Sequence, residues 1–375
     1  VPGNEAIVDQ LGSLAPFLTF ISKQQLRSMN QKQTPYRIAL VGVGKAQKDS
    51  PKDGCKIGYI HAEMLAKQTR GNLTAGVDIS DENLRVWGEK FGISRGYTDY
   101  AEMLRDLKPD VVALATYVGM HYPMIEAAAR AGVKGVFCEK PFLNSPAEIG
   151  KLRALIQETG VKIVVNHMRR YQPIFIHAKA LIDAGRIGKP ELMSAGIADW
   201  DLSEWGAHWL DIFRFLNSDC PVQWAFGQTR TRDLRSFGHQ MEEHGMGYFH
   251  FENGCKALLD GGSAIGSYCM LVNGSEGTIR LVSEGNGILQ TKDGFEEFTL
   301  PSYGPDVWLG VWNALFDWME GGPEPDLGAS NQLLTSELNL ALYISALTGD
   351  RVDFPLTSDL DVWPVDAIVR KNQAE

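Results

Sequence analysis

The chain has 375 residues, of which 44% are hydrophobic and 22% charged, the balance of an ordinary globular protein long enough for two domains. Its formal net charge of -10 argues against nucleic acid or an anionic membrane as the main partner, and no apolar run is long enough to span a bilayer. The five cysteines (Cys55, Cys138, Cys220, Cys255, Cys269) form no C-x-x-C pair, which disfavours a zinc site or a disulfide framework and fits a reducing, cytoplasmic location.

Residues 1–35 are read as an N-terminal arm. LGSLAPFLTFI (Leu11–Ile21) is apolar, but Glu5 and Asp9 precede it where a signal peptide would carry basic residues. An amphipathic arm fits better, with a targeting segment as the alternative. From Tyr36 strand and helix signals alternate. YRIALVGVG is β-branched, apolar and ends in glycines, a strand; IHAEMLAKQ has helical apolar spacing. LTAGVDIS reads as strand, DENLRVWGEKFG as a helix closed by Gly92, and DVVALAT (Asp110–Thr116) as a buried strand. HYPMIEAAARAG is helix and GVFCEKP strand. SPAEIGKLRALIQETG is a helix with Ser145 as N-cap and Pro146 at its first position, and VKIVVNH closes the series. This alternation predicts an α/β domain over residues 36–166, a doubly wound parallel sheet of Rossmann type.

Beyond residue 166 the pattern changes. One helix (Pro173–Ala184, closed by Gly185) leads into turn-rich strands: PELMSAGI, VQWAFGQTRTR, GMGYFHFENGCKALLDGG, SYCMLVNGSEGTIRLVSEG and GILQTK. Asn253–Gly254 marks a hairpin turn. GVWNALFDWMEGG and NQLLTSELNLALYISALTG read as helices. Residues 167–375 are therefore predicted as an α+β domain with strands paired mainly antiparallel.

The stretch VGVGKAQKDSPKDGCKIGYIH (Val41–His61) resolves into a dinucleotide fingerprint with an insertion. Gly42 and Gly44 follow the first strand, but Gln47 stands where the third glycine belongs. Taking Gly58 as the third glycine restores the context: a strand before, a helix after, and Asp78 ending the second strand 20 positions later. The departure is an insertion of 11 residues, Ala46–Lys56, polar and turn-rich. A P-loop is excluded, because Ala39 stands where its first glycine would be. A carboxylate at Asp78 accepts from ribose hydroxyls and repels a 2′-phosphate, and Ile79 beside it brings no arginine, so NAD is favoured over NADP. Ser80 suits the N-cap of the next helix better than Asp78 does.

With CEKP at Cys138–Pro141 the chain resembles the glucose–fructose oxidoreductase/inositol dehydrogenase (Gfo/Idh/MocA) family. The resemblance runs from about Tyr36 to Pro355 on an ordered set: VGVG…IGYIHA at 41–62, AT…H at 115–121, EKP at 139–141, NHMRRYQP at 166–173, GRIGKP at 185–190, GAHWLDIFRF at 206–215, FENG at 251–254, GSEGTIRL at 274–281 and TGDRVDFPL at 348–356. It implies a Rossmann domain followed by a domain whose large open sheet builds a homodimer or homotetramer. It implies that Gly42, Gly44, Gly58, Tyr59, Ile60, Asp78, Thr116, His121 and Glu139 line the cofactor. It implies that Lys140 sits by the reacting carbon, its proline often in a cis bond, where an ammonium polarises a developing alkoxide and burial lowers its pKa. The family's carboxylate-x-x-x-histidine pair falls on Glu204 and His208, with Glu in place of the usual Asp. The two are expected on one helix face, with His208 accepting the hydroxyl proton. Asp211 is expected to be structural.

ADWDLSEWGAHW (Ala198–Trp209) brings three tryptophans and three carboxylates together. Indole faces stack on sugar rings and carboxylates accept from hydroxyls, so a sugar, sugar derivative or cyclitol is the expected substrate, with Asp201 and Trp205 among its contacts. Arg169, Arg170 and Tyr171 lie where the family contacts substrate; Arg169 and Tyr171 are taken as contacts, and one arginine as the partner of a carboxylate. The segment between Met193 and His208 is short for the family, which predicts an open side to the pocket. His239, Glu242, Glu243 and His244 form no zincin pattern, and no metal is expected. The reading is a dehydrogenase oxidising a secondary hydroxyl to a ketone. The alternatives are a redox glycoside hydrolase on the same scaffold, or a non-catalytic nucleotide-binding regulatory protein.

Overall fold

The computed structural model describes residues 34–46, 56–198, 201–262, 269–302, 304 and 306–374; the expected arm up to residue 33, residues 47–55 of the insertion, and Asp199 and Trp200 lie outside the described residues. The last four side chains of β1 (Tyr36–Val41) are all buried, as befits a strand covered on both faces. There follow α1 (Ile57–Leu65), β2 (Gly71–Val77), α2 (Asp81–Phe91), β3 (Gly96–Tyr97), α3 (Tyr100–Leu107), β4 (Val111–Leu114), α4 (His121–Arg130), β5 (Gly135–Cys138), α5 (Pro146–Thr159) and β6 (Lys162–Val165). These strands pair in parallel throughout, in the order β3-β2-β1-β4-β5-β6. That is the Rossmann order. Its direction reverses between β1 and β4, so a crevice opens at their carboxyl ends.

A short turn of tighter helix (Met168–Tyr171) leads to α6 (Pro173–Asp183), β7 (Pro190–Ile197), α7 (Gly206–Leu216), β8 (Val222–Ser236), β9 (His239–Phe251), β10 (Lys256–Gly261), β11 (Cys269–Gly274), β12 (Gly277–Leu281), β13 (Asn286–Thr291) and β14 (Gly294–Thr299). α8 (Asp306–Met319), α9 (Ala329–Thr348), β15 (Val352–Asp353) and α10 (Pro364–Ala374) complete the described chain. The second sheet has nine strands, ordered β14-β13-β12-β11-β7-β10-β9-β8-β15. It is antiparallel except where β10 lies parallel to β7. α7 and the β8–β9 hairpin separate β7 from β10 in sequence, which gives the crossover that a parallel pair needs.

Alternation along the parallel strands divides the core of the first sheet. Ala39, Val41, Val112 and Leu114 pack with Met103 and Leu104 of α3, Ile125 of α4 and Leu152 of α5. Ile38, Leu40, Val111, Ala113, Phe137 and Val164 pack on the other side with α1, Trp87 of α2, and Val311, Trp312, Leu315 and Phe316 of α8. A helix from near the end of the chain thus covers the first sheet.

Candidate active site

β1 runs out into Gly42-Val43-Gly44 at the crevice. Gly42 has a φ of +81°, and a Cβ there would stand 2.5 Å from the Ala115 carbonyl oxygen, so only glycine fits between the ends of β1 and β4. A Cβ on Gly58, in the first turn of α1, would stand 2.5 Å from the Val43 carbonyl oxygen. Gly58 therefore does the work of the third glycine, close packing of helix on strand, despite the insertion. The insertion is pinched at its base, where Lys56 N donates to Lys45 O at 3.2 Å. No side chain caps α1, and its first backbone bond runs from Ile60 N to Lys56 O. Its leading amides point out of the helix end, the arrangement that binds a diphosphate. Tyr59 contributes backbone there; its ring is buried against Phe91. Asp78 Oδ2 accepts from Gly44 N at 2.9 Å, and Oδ1 from Ser80 N and Asn83 Nδ2, both at 3.0 Å. Ser80 is the N-cap of α2. The Asp78 carboxylate is thus held at the end of β2 with lone pairs left for a ligand.

Two predicted cofactor residues brace the crevice from beneath. His121 is fully buried, with Nε2 3.0 Å from Thr116 O and Nδ1 3.2 Å from Phe142 O. Burial holds its pKa below the usual value. Its ring lies buried between the end of β4 and the loop after Pro141, with each nitrogen facing a carbonyl oxygen. Glu139 is also buried. Its Oε1 accepts from His61 Nε2 at 2.9 Å and Asn166 Nδ2 at 2.7 Å, and its Oε2 from Lys140 N at 3.3 Å. Burial works to raise its carboxyl, but His61, Lys140 and Asn166 outweigh burial and hold it below the ordinary range. Trp312 Nε1 donates to His61 Nδ1 at 3.3 Å, which leaves Nε2 as the nitrogen that donates to Glu139. This chain of bonds, from α8 through α1 to the EKP turn and β6, was not visible in the sequence, because His61, Asn166 and Trp312 lie far apart along it.

The Lys140–Pro141 bond is cis. Lys140 Nζ donates to Glu204 O and stands 3.4 Å from Glu204 Oε2. Glu204 lies in the turn before α7, not on the helix, so it does not share a helix face with His208 as expected. Its other oxygen, Oε1, stands 3.4 Å from His239 Nε2 at the start of β9. Burial would raise the Glu204 carboxyl, but Lys140 and His239 hold it below the usual range. His208 is buried, its Nδ1 has no hydrogen-bond partner, and its ring meets His167 edge-on at 5.7 Å. Burial, then the charges of Lys140 and Arg169, push its pKa well below 6.5. It is therefore a neutral imidazole beside an ammonium, able to accept a proton.

Three of the four expected substrate contacts have other work. Asp201 caps the turn into α7: its Oδ1 accepts from Glu204 N at 2.6 Å and Trp205 N at 3.4 Å. It is buried, and burial together with Glu242 and Glu204 raises its carboxyl well above the usual range. Tyr171 packs its ring on Gly310 of α8. The Arg169 guanidinium is buried 5.3 Å from both the Trp205 and Trp209 rings. Trp205 and Tyr171 are half-buried, whereas Arg169 and Asp201 are buried. Arg170 makes a bidentate pair with Asp211, 2.8 Å at each contact, and a second with Asp219. Burial opposes the Asp211 charge, yet Arg170 and its neighbours pull the carboxyl down to about 2. Both are structural. His239 belongs to this site, whereas Glu242 binds Leu202 N and Tyr343 Oη, and His244 pairs with Asp260. Among the described residues no His, Cys, Asp or Glu group is arranged to hold a metal, and no helix is long and apolar enough to cross a membrane.

The first sheet has the Rossmann strand order, and Lys140 and the buried His208 lie on the turns and helix beyond its β5. Residues 36–167 match the model of the oxidoreductase family with an NAD-binding Rossmann fold. The D-apiose dehydrogenase of Paraburkholderia graminis is 28% identical over 316 residues, covering 75% of this chain and 82% of that one. The scyllo-inositol 2-dehydrogenase (NAD(+)) of Bacillus subtilis is 34% identical over 155 residues, 41% of this chain and 42% of that one. Among solved structures, scyllo-inositol dehydrogenase from Lactobacillus casei with NAD(H) and scyllo-inositol superposes with a TM-score of 0.66 at 21% identity, covering 85% of this chain and 99% of that one. An oxidoreductase from Agrobacterium radiobacter in complex with NAD+, L-tartaric acid and magnesium gives 0.70 at 22%, covering 85% and 98%. Both share the fold.

Proposed function

We propose that the protein oxidises a secondary hydroxyl of a sugar, sugar derivative or cyclitol to a ketone, reversibly, with NAD as its redox partner. The carrying observation is that Lys140, on the cis turn after β5, reaches Glu204 in the turn that leads into α7, the helix that carries the buried His208. The substrate class rests on the names of the relatives, which act on apiose and inositols, and on half-exposed Trp205. The residues fit NAD: Gly42, Gly44 and Gly58 with the amides of Tyr59 and Ile60 would hold the diphosphate, Asp78 the ribose, and Thr116 and the EKP turn the nicotinamide end. Ile79 is 97% exposed beside Asp78 and offers no charge to a 2′-phosphate, which supports NAD over NADP.

NAD, when bound, supplies the hydride acceptor. Lys140 donates to the substrate oxygen and stabilises the negative charge that grows there. His208 accepts the hydroxyl proton. A homodimer or homotetramer is part of the same reading and is checked by light scattering. The functional test is absorbance at the NADH band with purified protein, NAD and a panel of sugars and cyclitols. Substrate-dependent NADH is expected. Cleavage of glycosides with no net NADH would overturn the reading in favour of redox hydrolysis.

A further inference from the structure

Both ring nitrogens of His239 face oxygen acceptors. Nδ1 is 2.9 Å from Gln240 O, its neighbour's carbonyl, and Nε2 is 3.4 Å from Glu204 Oε1. A neutral imidazole carries one N–H and donates to one of the two; only the imidazolium donates to both. The ring is buried and its plane is fixed by Trp363, whose centroid lies 4.6 Å away and whose Nε1 donates to Gln240 O at 2.8 Å. Glu204 in turn touches Lys140 twice, through its carbonyl and through Oε2. His239 comes from the start of β9 and reaches Lys140 through Glu204.

We propose that His239 is a positioning residue for the reaction: acting through Glu204, it pins the Lys140 ammonium at the place where the substrate oxygen is polarised. The proposal rests on the dehydrogenase reading above. The groups facing the His239–Glu204 pair are Lys140 from the EKP turn, Asp201 from the turn before α7, Glu242 from β9 itself, and Asp366 of α10, which accepts from Gln240 N. Asp201 and Glu242 are buried carboxyls whose pKa values burial raises, so Glu204 is the main anion presented to His239. Burial opposes the His239 charge, yet the Glu204 carboxylate and the Gln240 carbonyl outweigh it and keep the imidazolium to higher pH than usual. When the ring loses its proton, one N–H is left for two acceptors and the positive charge facing Glu204 is gone, so Glu204, and Lys140 through it, are held less firmly. The rate therefore gains a descending limb on the alkaline side.

The test compares wild type, His239→Ala and His239→Gln in kcat, KM and NAD affinity across pH. His239→Ala is expected to lower kcat roughly tenfold or more with NAD affinity unchanged, the cost of a displaced catalytic group. His239→Gln, whose amide donates at every pH, is expected to restore much of kcat and to abolish the alkaline limb. An unchanged kcat in His239→Ala, or a limb that persists in His239→Gln, overturns the proposal. A second readout needs no turnover: the His239 ring titration by nuclear magnetic resonance is expected to fall in Glu204→Gln, and an unmoved titration also overturns it. Wild type that makes no NADH with any substrate, while that titration shifts as expected, defeats the dehydrogenase reading and leaves the His239–Glu204–Lys140 linkage standing.

Discussion

His208 and His167 are buried imidazoles held in the neutral form, with separate consequences for rate and for stability. His208 accepts a proton only while neutral, so oxidation is expected to fall at low pH, along an acid limb below the ordinary imidazole range. After burial, the Lys140 charge is the leading cause of the low His208 pKa. In Lys140→Met that charge is gone, and the limb in the residual kcat/KM is expected to move to higher pH; a limb that stays in place would contradict the assignment. His167 is pushed to about 4 from 6.5, by burial first and then by Arg170, Lys140 and Arg214 against the pull of Asp211. Its folded pKa lies below its unfolded one. Its contribution to stability is full above 6.5 and is lost as pH falls toward 4, on the order of 3 kcal/mol in all. Urea melts of His167→Asn are expected to lose part of this acid sensitivity; a slope between pH 7 and 4 equal to wild type would contradict it.

Among the elements, α1 lies close against the end of β1. Its Gly58 leaves no room for a methyl group above the Val43 carbonyl. Gly58→Ala is expected to shift α1 off β1, with a loss of about 1–3 kcal/mol in stability and roughly tenfold in NAD affinity. Calorimetry with NAD checks both, and unchanged affinity would remove Gly58 from the cradle. This glycine was legible because a strand, a helix and a distant Asp framed it. The turn before α7 was not. Four-residue spacing put Glu204 and His208 on one helix face, but the helix begins at Gly206 and Asp201 caps the turn ahead of it. α3 carries a weak sequence signal, because it is short and ends on Lys108 at φ +45° instead of a glycine. β14 was missed because GFEEFT shows no strict alternation of apolar and polar residues.

Over the whole molecule the chain returns from the second sheet, through α8, to cover the first. Trp312 packs on Phe137 at 4.3 Å between ring centroids and donates to His61, so a residue from late in the chain stands behind the EKP turn. Composition and alternation revealed two kinds of sheet but not this return, because no local pattern tells a helix which sheet it will cover. A fragment ending at residue 166 lacks α8 and exposes one face of β1, β4, β5 and β6. It is expected to aggregate or to show no cooperative melt, and a cooperative melt of that fragment would contradict the shared core. The same return explains why the partners of Glu139 were beyond the reach of sequence spacing, while Gly42, Gly44, Asp78 and Lys140, each marked by its own local context, were not.

The most direct measurement is stopped-flow absorbance at the NADH band, with the best substrate of the sugar and cyclitol panel, comparing wild type with Lys140→Ala at matched saturation with NAD. The account predicts NADH formation in wild type, slowed about a hundredfold or more in the variant with NAD affinity kept. Equal rates in the two proteins would contradict the central place of Lys140.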